Sequence, residues 1–153
     1  MYLLDSNHCS LIINKNAEVI KRLDLLPRKT VIAINTIILG ELIFMVDKSE
    51  RKQENLQNLQ LFINSLREFI HPIDDETAKI YGQLCTEVFN FYAPKEKNKR
   101  RKFEIKDAGI YQNDLWVACT AIQHNLTIVS TDNDFLNISK AIPLKLDCWI
   151  VNI

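Results

Sequence analysis

The sequence predicts a three-layer α/β domain with a mainly parallel central sheet, and three observations carry that expectation. Short apolar runs alternate with stretches of helical period along the chain. The runs at 31–34 (VIAI) and 126–129 (LTIV) are short, β-branched and apolar on both sides, as strands covered on both faces must be. Cap-type residues stand directly behind the first two runs, Asp5-Ser6-Asn7 after 2–4 and Asn35-Thr36 after 31–34, so each strand hands over to a helix.

Taken in order, 2–4 (YLL) is a short apolar strand and 9–13 a short helix. A second helix is expected over 17–26, closed by Pro27, whose ring cannot continue it. After the strand at 31–34, Ile37, Ile38, Leu39, Leu42 and Ile43 make the next helix apolar nearly all round, yet Glu41 lies inside it. Residues 49–66 form a long amphipathic helix through Leu56, Leu59, Phe62, Ile63 and Leu66. A short strand at 69–73 precedes Asp74-Asp75, which cap a helix to about Tyr92 with Ala78, Tyr81, Leu84, Cys85 and Val88 on its inner stripe. The stretch 93–106 (APKEKNKRRKFEIK) is polar, basic and led by a proline. It reads as a loop or insertion, because the apolar pattern resumes at once behind it. Asn113 is then the expected N-cap of a helix whose stripe is Leu115, Ala118, Cys119 and Ile122, with Asn125 as the link to the strand at 126–129. The run 130–134 (STDND) is an acidic turn, and 144–153 supplies a last strand or two.

At 153 residues the chain suits one domain spanning 1–153 with 93–106 inserted in it. Nineteen basic and nineteen acidic residues cancel, so any attraction to nucleic acid is local rather than global. No apolar run approaches a membrane span and the N-terminus opens on a strand, not a basic leader, so a cytoplasmic protein off the membrane is expected. Cys9, Cys85, Cys119 and Cys148 are scattered without a CxxC pair, which favours buried reduced thiols over zinc ligation. The three glycines are far apart, so neither a P-loop nor a GxGxxG dinucleotide fingerprint can be written.

The chemistry lies in the acids. Parallel α/β sheets bind ligands at the carboxyl ends of their strands. Asp5 ends the first strand, Asp132 follows the strand at 126–129, Asp114 opens the helix before it, and Glu41 lies in the helix behind the second strand. Connections at one sheet edge bring all four to the same rim. Carboxylates held close raise one another's pKa, so such a cluster either protonates or binds a cation. Oxygen-only ligation points to Mg²⁺ or Mn²⁺ rather than zinc, and the chemistry that follows is attack of water on a phosphodiester.

These residues carry a resemblance. YLLDSN at the N-terminus, NTIILGEL around Glu41, NDLWVACTA at Asp114 and TIVSTDNDF at Asp132 resemble, in order, the motifs of the PIN-domain ribonucleases, specifically the VapC-type toxins of toxin–antitoxin pairs. The resemblance implies a PIN-like fold and a Mg²⁺- or Mn²⁺-dependent endoribonuclease, inhibited by a VapB-type antitoxin and a homodimer. By position, Asp5, Glu41, Asp114 and Asp132 match the family's acidic metal site, with Ser130, Ser6 and Asn7 in support. The substrate would be RNA with unpaired loops, transfer RNA among the candidates. The chain departs from the family in its long basic 93–106 stretch and in a tail that keeps only a late Trp149.

Bland readings stand beside these. Singly, Asp5 and Asp114 serve as helix-start residues and Asp132 and Asp134 as turn formers. Glu41 resists such a reading, since a carboxylate among Ile38, Leu39, Leu42 and Ile43 is costly to bury unpaired. The basic run, Lys99, Arg100, Arg101 and Lys102 at its centre, is either a solvated loop or a contact for RNA phosphates. His8, His71 and His124 are expected at the surface or at helix ends, and Tyr111, Trp116 and Trp149 in core or interface packing. A non-catalytic PIN-like module that grips RNA or protein is the alternative function. A phosphoacceptor domain needs an adjacent acidic pair just after the first strand, which Asp5-Ser6-Asn7 does not offer, and a DxD phosphatase needs its second Asp where Asn7 stands.

Overall fold

The computed structural model describes residues 1–66 and 69–150. Its sheet has five strands in the order β3-β2-β1-β4-β5, and every pair is parallel. The strands are β1 (Tyr2–Leu4), β2 (Ile32–Asn35), β3 (Ile70–His71), β4 (Thr127–Val129) and β5 (Leu146–Asp147). Leu3 sits opposite Ala33 on one side and Ile128 on the other, which makes β1 the centre. The chain winds away from β1 in one direction through β2 and β3, then in the other through β4 and β5. That reversal puts a switch point at the carboxyl end of β1.

The crossover helices fall into two groups. Helices α1 (Ser6–Ile13), α2 (Ala17–Asp24), α3 (Thr36–Asp47) and α4 (Lys52–Ser65) serve the β1–β2–β3 half and pack on one another, with α1 touching the other three. Helices α5 (Asp75–Tyr92), α7 (Gln112–His124) and α8 (Asn133–Ala141) serve the β3–β4–β5 half and pack together. The three-layer expectation holds, and the sheet is wholly parallel. Leu3, Leu4, Ala33, Ile34, Ile128 and Val129 are fully buried between the layers.

Several local expectations are corrected. α4 begins at Lys52, and Leu56 points to solvent. On α5 the buried positions are Thr77, Leu84 and Val88, whereas Ala78 is exposed. Thr77 completes a capping box with Asp74, so its hydroxyl is satisfied where it is buried. The 93–106 stretch is not open loop: it holds the short α6 (Lys97–Arg100) and a 3-10 turn, Ile105–Ala108, closed by Gly109 at φ 66°. The acidic turn is the start of a helix, α8, whose N-cap is Asp132 and whose Phe135 and Ile138 enter the core. Of the final segment, β5 is a strand and Trp149 is buried; 151–153 lie outside the described residues. Cys9 and Cys119 are buried free thiols as expected, but Cys148 is exposed.

Candidate functional site

The carboxyl edge of the sheet collects the predicted acids. Asp5 follows β1 directly and caps α1, its Oδ1 accepting from the His8 backbone N–H at 2.6 Å. Its other oxygen accepts from the Ser130 hydroxyl at 2.5 Å, and that hydroxyl accepts in turn from the Asp132 N–H at 2.9 Å. Ser130 thus links the end of β4 to the end of β1. Its backbone N–H is held by the Asp147 carbonyl of β5 at 3.0 Å.

Glu41 reaches the rim from α3. That helix is aimed by Asn35, a buried residue whose Oδ1 caps α3 at Ile38 N (3.0 Å) and whose amide donates to Thr120 of α7 (2.9 Å). One asparagine therefore fixes α3 against α7. Across that junction the Asn113 amide donates to Glu41 Oε1 at 2.6 Å. Asn113 is not the N-cap of α7, as its type suggests; Tyr111 occupies that position and Asn113 lies in the first turn.

Asp114 lies half-buried in the same turn. Burial pushes its pKa up to about 7, reinforced by the charges of Asp134 and Asp132, a hydrogen bond with Asp134, and the charge of Glu41. Asp134 is the residue that sequence reasoning misses. It is buried, its own pKa raised first by that burial, and its Oδ2 accepts from the Tyr111 N–H at 2.7 Å, so it caps α7 from across the rim. The buried thiol of Cys9 is held up first by desolvation and next by the charge of Asp5, with the charge of Glu41 adding to it. Hydrogen bonds link Asp5 through Ser130 to the Asp132 backbone and Asn113 to Glu41, and the charges of Asp132, Asp134 and Glu41 are all felt at Asp114, so the acids form a loose ring along one rim.

Ser6 and Asn7 lie in the first turn of α1, and among the described residues their side chains bond to none of these acids. The basic stretch divides. Arg100 is a packing residue, donating to Asn90 Oδ1 at 2.6 Å and lying 4.7 Å over the Phe89 ring. Lys99 pairs with Glu96 at 2.8 Å, while Arg101 and Lys102 are exposed. His8 is fully buried, not superficial, and His71 and His124 stack on each other at 3.9 Å. Trp149 packs inside as expected, Trp116 stacks on Tyr81, and Tyr111 is 68% exposed.

Among the described residues no lysine or arginine pairs with any of the five carboxylates. Nor do three His, Cys, Asp or Glu side chains among them stand close enough to ligate one ion directly. The donor set is all oxygen, crowded and uncompensated, which suits a hard divalent cation. Mg²⁺ keeps several waters and is bound through one or two carboxylates, so the fit is to a hydrated ion rather than a dry four-carboxylate shell.

A wholly parallel α/β protein with an uncompensated acidic ring at its switch point is the class that fold and site define. The chain belongs to the PIN domain family, which it matches over residues 2–141. It is 33% identical to Ribonuclease VapC2 of Rickettsia felis over 97% of this chain and 98% of that protein. Among solved structures it is similar to VapBC2 from Rickettsia felis bound to a DNA fragment from its promoter, with a TM-score of 0.72 and 28% identity over 97% of this chain and 98% of that one. DNA-bound VapBC from Salmonella typhimurium shares the fold, with a TM-score of 0.74 and 23% identity over 97% of this chain and 98% of that one.

Proposed function

We propose that this chain is an endoribonuclease, the toxin of a VapBC-type pair, that hydrolyses RNA phosphodiesters with Mg²⁺ or Mn²⁺ at the ring of Asp5, Glu41, Asp114 and Asp132. The observation that carries the reading is the uncompensated carboxylate ring, in a chain one-third identical to a VapC ribonuclease over nearly its whole length. A bound divalent ion supplies Lewis acidity toward the phosphate and lowers the pKa of water beside it. The chain does the positioning. Asp5 and Asp114 would be the principal ligands, Asp132 would support the ion through its water shell, and Glu41, oriented by Asn113, would direct water. Asp134 keeps Asp114 in place by capping α7.

The partners follow the same reading: RNA with unpaired loops, a VapB-type antitoxin and a second copy of the chain, in the cytoplasm. Among the described residues no helix is long and apolar enough to cross a membrane. A groove of about 190 Å³ between α1, α3 and α4, with Leu42, Met45, Val46 and Leu59 at its apolar side and Asn14 and Asn55 at its polar side, would seat the antitoxin. The test is incubation of the purified chain with transfer RNA in Mg²⁺ or Mn²⁺, with and without chelator. Metal-dependent fragments that vanish in Asp5→Asn support the reading. Cleavage retained in a folded Asp5→Asn refutes the site, and RNA binding without any cleavage favours the non-catalytic module.

A further inference from the structure

Asp5 is held by more than its role as a helix cap requires. A cap needs one backbone donor, which the His8 N–H provides. The His8 ring adds a second contact to the same oxygen, Nδ1 to Oδ1 at 3.0 Å. The ring is completely buried and its far nitrogen, Nε2, has no hydrogen-bond partner among the described residues. A buried polar atom left unsatisfied is uncommon and calls for a reason.

The surroundings supply one. The ring stands edge-on to the buried Trp149, centroids 6.4 Å apart and planes at 90°. The Trp149 indole N–H donates to Asp147 Oδ2 at 3.1 Å, and the Asp147 carbonyl holds the Ser130 N–H at 3.0 Å. Ser130 then donates to the other oxygen of Asp5. Asp5 is therefore gripped from both sides by one frame: Ser130 on Oδ2, His8 on Oδ1, and Trp149 fixing the plane of the imidazole between them. An ionised carboxylate only accepts, so Nδ1 must carry the hydrogen. A hydrogen on Nε2 instead would leave two buried atoms mismatched, an acceptor facing an acceptor and a donor with no partner among the described residues.

We propose that His8 is a positioning residue for Asp5, held as the Nδ1–H tautomer by the Trp149 wall so that its ring fixes the carboxylate for the divalent ion. The proposal rests on the nuclease reading and adds a residue to it. Hydrogen-bond partners of ligating carboxylates, when removed, typically cost 10–100-fold in metal affinity or activity. Asparagine can place an amide N–H near the position of Nδ1, whereas leucine fills the slot without a donor.

The experiment compares wild type, His8→Leu and His8→Asn by Mn²⁺ titration calorimetry, RNA cleavage and imidazole nitrogen NMR. The expected results are a bare Nε2 and protonated Nδ1 in the wild type, Mn²⁺ binding and cleavage about 10–100-fold weaker in His8→Leu, and recovery of most of both in His8→Asn. A wild-type spectrum with the hydrogen on Nε2 overturns the proposal, as does a folded His8→Leu with unchanged Mn²⁺ affinity. Should His8→Leu not fold, the tautomer and the behaviour of His8→Asn against wild type decide, and a tenfold weaker His8→Asn counts against it. A wild-type chain that neither binds Mn²⁺ nor cleaves RNA overturns the nuclease reading itself, whereas an active wild type with indifferent variants overturns this inference alone.

Discussion

The two halves of the acidic ring are built on opposite principles. Around Asp5 every carboxylate oxygen has a donor: two from His8 on one, the Ser130 hydroxyl on the other, with the Asp132 N–H behind it. Around Asp114 burial comes first, the charges of Asp134, Asp132 and Glu41 add to it, and the carboxyl's pKa rises to about 7. The first half is organised before anything binds. The second stays frustrated until a proton or a cation relieves it. On the proposed reading, one half sets the geometry by hydrogen bonds and the other would draw a cation because its charge is buried and crowded.

The largest expected effect lies in the frustrated half. Asp114→Asn should reduce RNA cleavage on the order of a hundredfold or more, since on the proposed reading it removes a ligand rather than a ligand's support. The same change should make the metal-free protein more stable. Asp114 has a folded-state pKa of about 7, above the ordinary 3.8, so the stability its protonated form contributes is complete below about pH 4 and is lost as pH rises to 7. At pH 7.5 the ionised form costs on the order of 1–2 kcal/mol once solvent screening of this half-exposed group is allowed for. Melting curves at pH 4.5 and 7.5 without divalent ions check it. The wild type should lose more stability over that range than Asp114→Asn, and Mg²⁺ or Mn²⁺ should close the gap. Equal slopes would sink the idea of a frustrated half.

The same contrast explains what is legible in the sequence. Asp5, Asp114 and Asp132 can be found because each stands where a parallel strand or helix begins or ends, and Glu41 because an acid inside an apolar helix demands a reason. Asp134 escapes because a turn former in a run of turn formers demands none; only the fold shows its side chain turned inward to the Tyr111 N–H. Asn113 misleads for a related reason. An asparagine ahead of an apolar stripe reads as an N-cap, yet the helix starts at Gln112, which frees the amide for Glu41, 72 residues away. His8 sits next to the first motif, but its burial depends on Trp149 at the far end of the chain. Helix α8 is hidden by its polar first turn, although Asp132 is a cap-type residue and Phe135 and Ile138 keep helical spacing. Local pattern locates the strands, their parallel packing and the acids, whereas contacts between distant segments escape it.

A smaller effect is expected in the satisfied half. Ser130→Ala strips a donor from Asp5 Oδ2 and an acceptor from the Asp132 N–H together. Leaving such groups unpaired costs about 1–3 kcal/mol where they are buried, and Asp5 is. Denaturant unfolding should show that loss alongside a drop in cleavage of about 10–100-fold. Ser130→Thr keeps the hydroxyl and should restore both. A Ser130→Ala protein as stable as wild type would mean that the first half is less pre-set than the bonding suggests.

The mildest expected effect tests whether the comparison extends beyond the ring, to the basic stretch that is itself split between packing and exposure. Arg101 and Lys102 are solvent-facing, whereas Arg100 is engaged by Asn90 and Phe89. Reversing the exposed pair, Arg101→Glu with Lys102→Glu, should leave stability within about 0.5 kcal/mol, as surface changes usually do. If the pair touches RNA phosphates, removing each phosphate interaction should reduce the slope of log affinity against log salt by about 1, with no change in Mn²⁺ affinity. Arg100→Ala should do the reverse, loosening α6 from α5 with little effect on that slope. Binding isotherms across a salt series separate the two, and an unchanged slope in the double variant would confine RNA recognition to the rim of the sheet.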